Sequence, residues 1–169
     1  MNFEEKDIEL CIDGMGIAFY SPENAMHIPE GSDFLNTEYS EPGDVAAHIR
    51  KGDIVGFCTG TGGDFTLKFR EGEPDEKVLE EYPLAIALGI EVKGDKLCMV
   101  DLFWLMEWDN DIPDEQILPI KSGYYHIIVC TRRPESGYWG DSQTIYMYMR
   151  KTDTMPEIVW PGVPQLCKD

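Results

Sequence analysis

The sequence predicts a mainly β fold: an antiparallel β-sandwich, or partly open barrel, with two or three short helices. Three observations lead there. Apolar and polar residues alternate with period two in several short runs, Gly- and Pro-rich turns separate those runs at regular spacing, and the strand–helix alternation of a parallel α/β sheet is absent. At 169 residues the chain suits a single domain, 1–169, with enough length to bury a core without disulfides or metal.

The elements follow in order. "DIELCI" (7–12) sets Ile8, Leu10 and Ile12 against Asp7, Glu9 and Cys11, and after the Gly14-Met15-Gly16 turn "IAFY" (17–20) reads as its hairpin partner. Residues Ser21 to Gly43, rich in Pro, Gly and acids, read as a long covering loop with at most one short strand. "GDVAAHIRKG" suits one or two helical turns, with Asp44 as N-cap and Gly52 just past the end. "DIVGFCTGTGGDFTLKFR" has the form of a hairpin in which Phe65, Leu67 and Phe69 face one side and Thr66, Lys68 and Arg70 face water.

"PDEKVLEEY" reads as a short helix with Pro74 in its first turn and Pro83 stopping it. "LAIALGIEV" and "LCMVDL", joined by Lys93-Gly94-Asp95-Lys96, suggest another hairpin. Asp101 can then cap one or two turns through Trp108, with Phe103, Met106 and Trp104 as the candidates to press inward, and Pro113 prevents a long helix. "GYYHIIVCT" and "QTIYMYMR" are strands joined by "RRPESGYWGDS". The tail from Met155 to Asp169, carrying Pro156, Pro161 and Pro164, is expected to run extended and pack through Ile158, Val159 and Trp160.

Charge is the unusual quantity. Against 14 basic residues stand 32 acidic ones, a formal net charge of −18, which opposes binding to DNA, RNA or an anionic membrane and favours encounter with basic partners. The N-terminus "MNFEEKDIEL" lacks the basic region and apolar run of a signal peptide, and no run of apolar residues is long enough to span a bilayer. Five cysteines, odd in number and without a CxxC pair, argue against a zinc framework or a redox motif. A cytoplasmic protein without a cofactor is the expectation, and the sequence carries no signal of oligomeric state.

Three candidate sites fail on chemistry. "GTGGD" (60–64) lacks the Lys and the Ser or Thr that a phosphate loop needs, having Asp64 and Phe65 instead, so it reads as a turn requiring positive φ. "DNDIPDE" (109–115) offers oxygen ligands, but an EF-hand loop begun at Asp109 would place Asp114 and Ile120 where Gly and Glu are required. His27, His48 and His126 fall in separate elements without metal-ligand spacing, and no nucleophile elbow is present. No catalytic or metal residues are therefore assigned.

Two constellations remain. Between Lys6 and Arg50 lie nine acids and no base (Asp7, Glu9, Asp13, Glu23, Glu30, Asp33, Glu38, Glu41, Asp44), and between Lys96 and Lys121 lie six more (Asp101, Glu107, Asp109, Asp111, Asp114, Glu115). If these stretches adjoin, they form one negative face with Trp104 or Trp108 within it. The second constellation is aromatic. Tyr124, Tyr125, Tyr146 and Tyr148 alternate on two strands, and Tyr138 and Trp139 sit in their connecting loop, where aromatic rings can stack on a sugar or other small ligand.

The segment "ILPIKSGYYHIIVCTRRPESGYWGDSQTIYMYM" (117–149), with Leu118-Pro119-Ile120, Gly123-Tyr124, Asp141 and Tyr146, resembles the C-terminal half of competence nuclease-inhibitor-like proteins. The resemblance covers about a fifth of the chain. It implies a small cytoplasmic β-sandwich of immunity type that binds and inhibits a nuclease or toxin, and it carries no catalytic residues. Sequence and resemblance together point to a non-enzymatic acidic binding protein with a basic protein partner, contacted through Trp108, Asp109, Asp111, Asp114 and Glu115. The alternative is a small-ligand or carbohydrate binder using Tyr138 and Trp139.

Overall fold

The computed structural model describes residues 1–167 and arranges its strands in two sheets. One sheet takes β1 (Lys6–Ile12), β4 (Gly63–Glu71), β9 (Gln143–Thr152), β8 (Gly123–Thr131) and β5 (Leu84–Val92) in that order. The other takes β3 (Ile54–Cys58), β2 (Gly16–Tyr20), β6 (Lys96–Asp101) and β7 (Ile117–Pro119). The expected β-sandwich with short helices is what forms. Its pairings are antiparallel except between β4 and β9, which run parallel from Phe65↔Gln143 to Glu71↔Met149.

The two sheets are built from different kinds of strand. In the five-stranded sheet the alternation read from the sequence holds along β1, β4, β9 and the first part of β8: Ile8, Leu10, Phe65, Leu67, Phe69, Tyr125, Ile127, Ile145 and Met147 are buried between more exposed neighbours, whereas β8 ends on three buried residues, Val129, Cys130 and Thr131. In the four-stranded sheet β2 is buried at every position and β3 at all but its last. A strand buried on both faces needs cover on both. The second cover comes from the segment expected to be a loop. It contains a 3-10 turn (Pro22–Ala25), α1 (Phe34–Glu38) and the start of α2 (Pro42–Lys51).

Local chemistry sets these helices. The Asp33 carboxylate accepts from the Asn36 N–H and begins α1. Pro42 occupies the first turn of α2, with Glu41 rather than Asp44 at the cap position, because a proline at the helix start has no N–H to satisfy. Gly52 closes α2 in the left-handed region at φ 74°, as its position past the helix end suggested. Tyr39 then pins the layer to the sheet: its hydroxyl donates to the Ile54 carbonyl and accepts from the Gly56 N–H. The third helix, α3 (Glu76–Glu81), is capped by Asp75 on the Val78 N–H.

Three expected hairpins are corrected. β1 and β2, β3 and β4, and β5 and β6 do not pair with one another; each connection crosses from one sheet to the other. Turn residues signal that the chain reverses, and an arch between sheets requires the same residues as a hairpin. The Gly60–Gly63 segment is such an arch. Gly63 (φ 145°) and Gly140 (φ 82°) lie so close that a Cβ on Gly63 would collide with the Gly140 carbonyl, while Asp64 N–H donates to that carbonyl at 2.8 Å. The β8–β9 hairpin is present, with register from Tyr124↔Thr152 to Thr131↔Ile145.

The tail runs extended and laces the sandwich along one side. Cys58 N–H donates to the Pro164 carbonyl, Leu166 N–H donates to the Cys58 carbonyl, and the Trp160 indole N–H donates to the Ala87 carbonyl. Ile158 and Trp160 pack against the core, whereas Val159 is exposed. Lys168 and Asp169, the end of the expected tail, lie outside the described residues.

Candidate functional site: an acidic wall around a tryptophan pocket

Asp101, the last residue of β6, brings the two base-free stretches together. Its carboxylate accepts from Asp13 N–H (2.8 Å) and Gly14 N–H, both in the first stretch, and from Phe103 N–H (3.0 Å), which starts the next turn. A side chain on Gly14 would collide with this carboxylate, which is why the corner carries glycine. A carboxylate holding three N–H groups is spent on structure, and it fixes the geometry of everything after it.

That geometry corrects the expected packing of 101–108. Residues Leu102–Met106 form a 3-10 turn, with three residues per turn rather than 3.6, so positions three apart share a face. Leu105 is buried, and Leu102 packs partly against the core, while Phe103 (50% exposed) and Met106 (44%) point into solvent. Trp108 goes inward instead and is 2% exposed. It lies between Tyr20 (ring centroids 5.1 Å apart) and Phe34 (5.6 Å), joining the sheet to α1. Trp108 is thus chiefly a core residue whose edge borders the site.

The wall forms where the first stretch meets this one. Gly31 N–H donates to the Trp108 carbonyl, Trp108 N–H to the Ser32 carbonyl, and Asn110 N–H to Glu30 Oε1 at 2.9 Å. Between them opens a pocket of about 620 Å³ lined by Glu30, Gly31, Trp104, Glu107, Trp108 and Asp109. Trp104 is pinned by its indole N–H, which donates to the Asp109 carbonyl at 3.0 Å, and Trp108 by a bond to Asn110 Oδ1. Glu30, Glu107 and Asp109 take part in no ion pair among the described residues. Of the fifteen acids in the two stretches, Asp7 is the one that does, with Arg70 at 3.0 Å.

Stacked on the inner side of Trp108 is Tyr20. Its hydroxyl is buried, with Cys98, Trp104 and Asp109 as its polar neighbours. Burial first, and then the nearby Cys98 and Asp109, push its ionisation far above the usual tyrosine range, so it stays a neutral O–H.

The other contact candidates extend the wall. Asp111 is exposed, and its N–H donates to Asp109 Oδ1. Asp114 and Glu115 are exposed on a 3-10 turn (Asp114–Gln116) beside β1. There the Lys6 ammonium reaches the Ile117 carbonyl at 3.2 Å, so this end of the wall has a cation nearby. Glu30, Glu107 and Trp104 were visible in the sequence only as members of base-free stretches. Tyr20 read as an ordinary strand residue.

The aromatic alternative looks different. Tyr138 is 76% exposed, but the Trp139 ring is covered by the Arg133 guanidinium at 4.8 Å. The nearby hollow is lined by Arg132, Glu135, Asp141, Ser142 and Gln143 and lacks both rings. On the strands, Tyr125 is core, and Tyr146 stacks on Tyr148 at 5.6 Å beneath Lys68 and Arg70. Among the described residues no group of three or more His, Cys, Asp or Glu is arranged to hold a metal ion. None of the helices there is long and apolar enough to cross a membrane.

No protein-family model and no curated protein matches the sequence. Two solved structures share the fold. The first is ComJ from Bacillus subtilis, described as an inhibitor of the DNA-degrading activity of NucA. It is 10% identical with a TM-score of 0.51, over 90% of this chain and all of that one. The second is the product of crocagin biosynthetic gene J, 12% identical with a TM-score of 0.51, over 86% of this chain and 97% of the other. The likeness is one of fold. It spans far more of the chain than the 117–149 segment in which the sequence resemblance was read.

Proposed function

We propose that this chain is a non-enzymatic binding protein of inhibitor or immunity type, which uses its acidic wall to occlude a basic partner such as a nuclease or toxin. One observation carries the reading: the two base-free stretches are hydrogen-bonded to each other and present exposed carboxylates that, Asp7 apart, form no ion pair among the described residues. Such a wall steers cationic proteins and raises association rates, while exposed Phe103 and Met106 beside it supply the apolar contact that charge alone does not. The fold shared with a described nuclease inhibitor supports the same class. The proposal places the protein in the cytoplasm, where thiols such as buried Cys98 and Cys130 stay reduced.

The test is direct. Immobilised protein is expected to capture from its native cytoplasm a basic protein that elutes at high salt, and whose DNA-degrading or toxic activity falls when the chain is added back. Reversing Asp109, Asp111, Asp114 and Glu115 to Lys should slow that association and flatten its salt dependence. A reversed variant that binds and inhibits unchanged would remove the reading.

A further inference from the structure

We infer that the partner is held by strand addition: an extended basic segment pairs with the free margin of β1, an assignment that rests on the inhibitor reading and adds how contact is made. A sheet margin is a row of unpaired N–H and C=O groups, and three of the four margins here are closed. The tail covers β3 through Pro164 and Leu166. β5 is covered by the Trp160 indole at the Ala87 carbonyl, by the Gly52 carbonyl at Glu91 N–H, and by the Asn24 amide at the Glu91 carbonyl. β7 is three residues long, ends in proline, and has its Ile117 carbonyl taken by Lys6. β1 pairs with β4 on one side, and among the described residues nothing hydrogen-bonds to its backbone on the other.

The direction of its free groups follows from β4. Asp64 N–H donates to the Gly140 carbonyl just before β9 and Gly72 N–H to Met149 within it, so even-numbered residues of β4 face β9 and odd-numbered ones face β1. Lys6, Ile8, Leu10 and Ile12 therefore spend their backbone groups on Phe69, Leu67, Phe65 and Gly63, while Asp7, Glu9 and Cys11 turn theirs outward. Asp13 is next in that series, and its N–H is already taken by Asp101. An added strand has three residues to pair with before this corner stops it. At the corner Phe103 (50% exposed) lies close to Gly14, next to Met15 (62% exposed). At the other end a hollow of about 400 Å³ opens among Glu4, Glu5, Lys6 and Pro119. Main-chain bonds then give affinity, and the corner and the hollow receive side chains.

Charge decides the occupant. Asp7 is paired with Arg70 and Glu9 accepts from the Thr66 hydroxyl, but exposed Asp13, Asp114 and Glu115 beside the same strand form no ion pair among the described residues. A second copy laid antiparallel along this margin and centred on Glu9 would set Glu9 against Glu9, and like charges directly opposed destabilise a strand pair. A segment with Arg or Lys at alternate positions places cations there instead.

The experiment titrates the full chain calorimetrically at low salt with acetyl-Arg-Val-Arg-Val-Arg-amide and with its analogue methylated at every backbone nitrogen, which keeps the charges but cannot donate to a strand. Amide hydrogen exchange of the native chain is read alongside. Without peptide, the Glu9 and Cys11 N–H groups should exchange freely while those of Ile8 and Leu10 are protected by β4; with peptide, Glu9 and Cys11 should slow about tenfold or more. The methylated analogue should bind about fivefold weaker. Glu9→Pro removes an outward N–H where an edge strand tolerates proline and should lose about fivefold in affinity, while Glu9→Gln, which keeps the N–H, should lose about twofold. Equal binding of the two peptides, no binding of either, or Glu9 and Cys11 amides left unprotected by bound peptide would overturn the strand addition. The Lys reversals of Asp109, Asp111, Asp114 and Glu115 judge the inhibitor reading separately. If they still slow capture of the basic partner while the margin fails, the wall stands and only this mode of contact is lost.

Discussion

The outer face of the five-stranded sheet and the acidic wall are both exposed and both charged, yet they treat charge in opposite ways. On the sheet, Arg70 pairs with Asp7, Arg150 pairs with Glu73, Lys68 and Arg70 lie over Tyr146, and Arg132 lies over Tyr82. On the wall, carboxylates face water, held in position by backbone N–H groups and not by cations. A face whose charges are matched internally offers a partner little. A face whose charges are oriented but unmatched has its binding capacity intact, at the cost of self-repulsion in a chain of net charge −18.

The comparison can be broken from the inside first. Trp108→Ala removes the ring joining Tyr20 to Phe34 beneath the wall and should cost about 3–5 kcal/mol in denaturant unfolding; a loss under about 1 kcal/mol would show that the wall does not depend on that core. Gly63→Ala forces a Cβ against the Gly140 carbonyl at a φ that favours glycine, and should cost about 2–3 kcal/mol by the same assay.

Titration sharpens the contrast further. Burial alone would raise the Asp53 carboxyl, but the bond and charge of His48 at 2.9 Å, the Ile54 N–H and Lys51 outweigh it and hold the group below the usual carboxylate range. Its contribution is complete above the unfolded-state value of about 4 and is lost as pH falls through the lower folded value. Burial and Arg150 depress His126, so it too favours the unfolded state as pH falls below about 6.5. Asp53→Asn should cost about 1–3 kcal/mol at neutral pH and flatten the acid limb of a stability–pH curve. Smallest are the surface changes. Arg70→Ala on the sheet should cost about 0.5–1 kcal/mol, whereas neutralising Asp109, Asp111, Asp114 and Glu115 together should leave thermal stability unchanged or slightly raised. A clear loss from that neutralisation would mean that the wall carboxylates are structural after all.

The sequence made some of this legible, and particular residues explain where it stopped. Ile8, Leu10 and Ile12, like Phe65, Leu67 and Phe69, alternate because one face of their sheet is exposed, so period two located them. β2 and β3 are apolar almost throughout because helices cover their second face, and that difference was the available clue that they belong to another sheet. The three mistaken hairpins passed over it. Phe103 and Met106 were turned inward by a helical period that a 3-10 turn does not have. The base-free stretches are plain to see, but their meeting through Asp101 and Glu30 is a contact between residues 80 to 88 positions apart, which no local pattern encodes.

The proline-rich tail has a consequence for solubility. β3 ends one sheet and β5 ends the other, and the stretch from Met155 to Leu166 bonds to both through Pro164, Leu166 and Trp160. Ending the chain after Thr154 would leave two strand margins with vacant N–H and C=O groups, templates on which further copies could add edge to edge. Such a truncated chain should precipitate under conditions in which the intact protein stays dispersed, even with almost all of its negative charge retained.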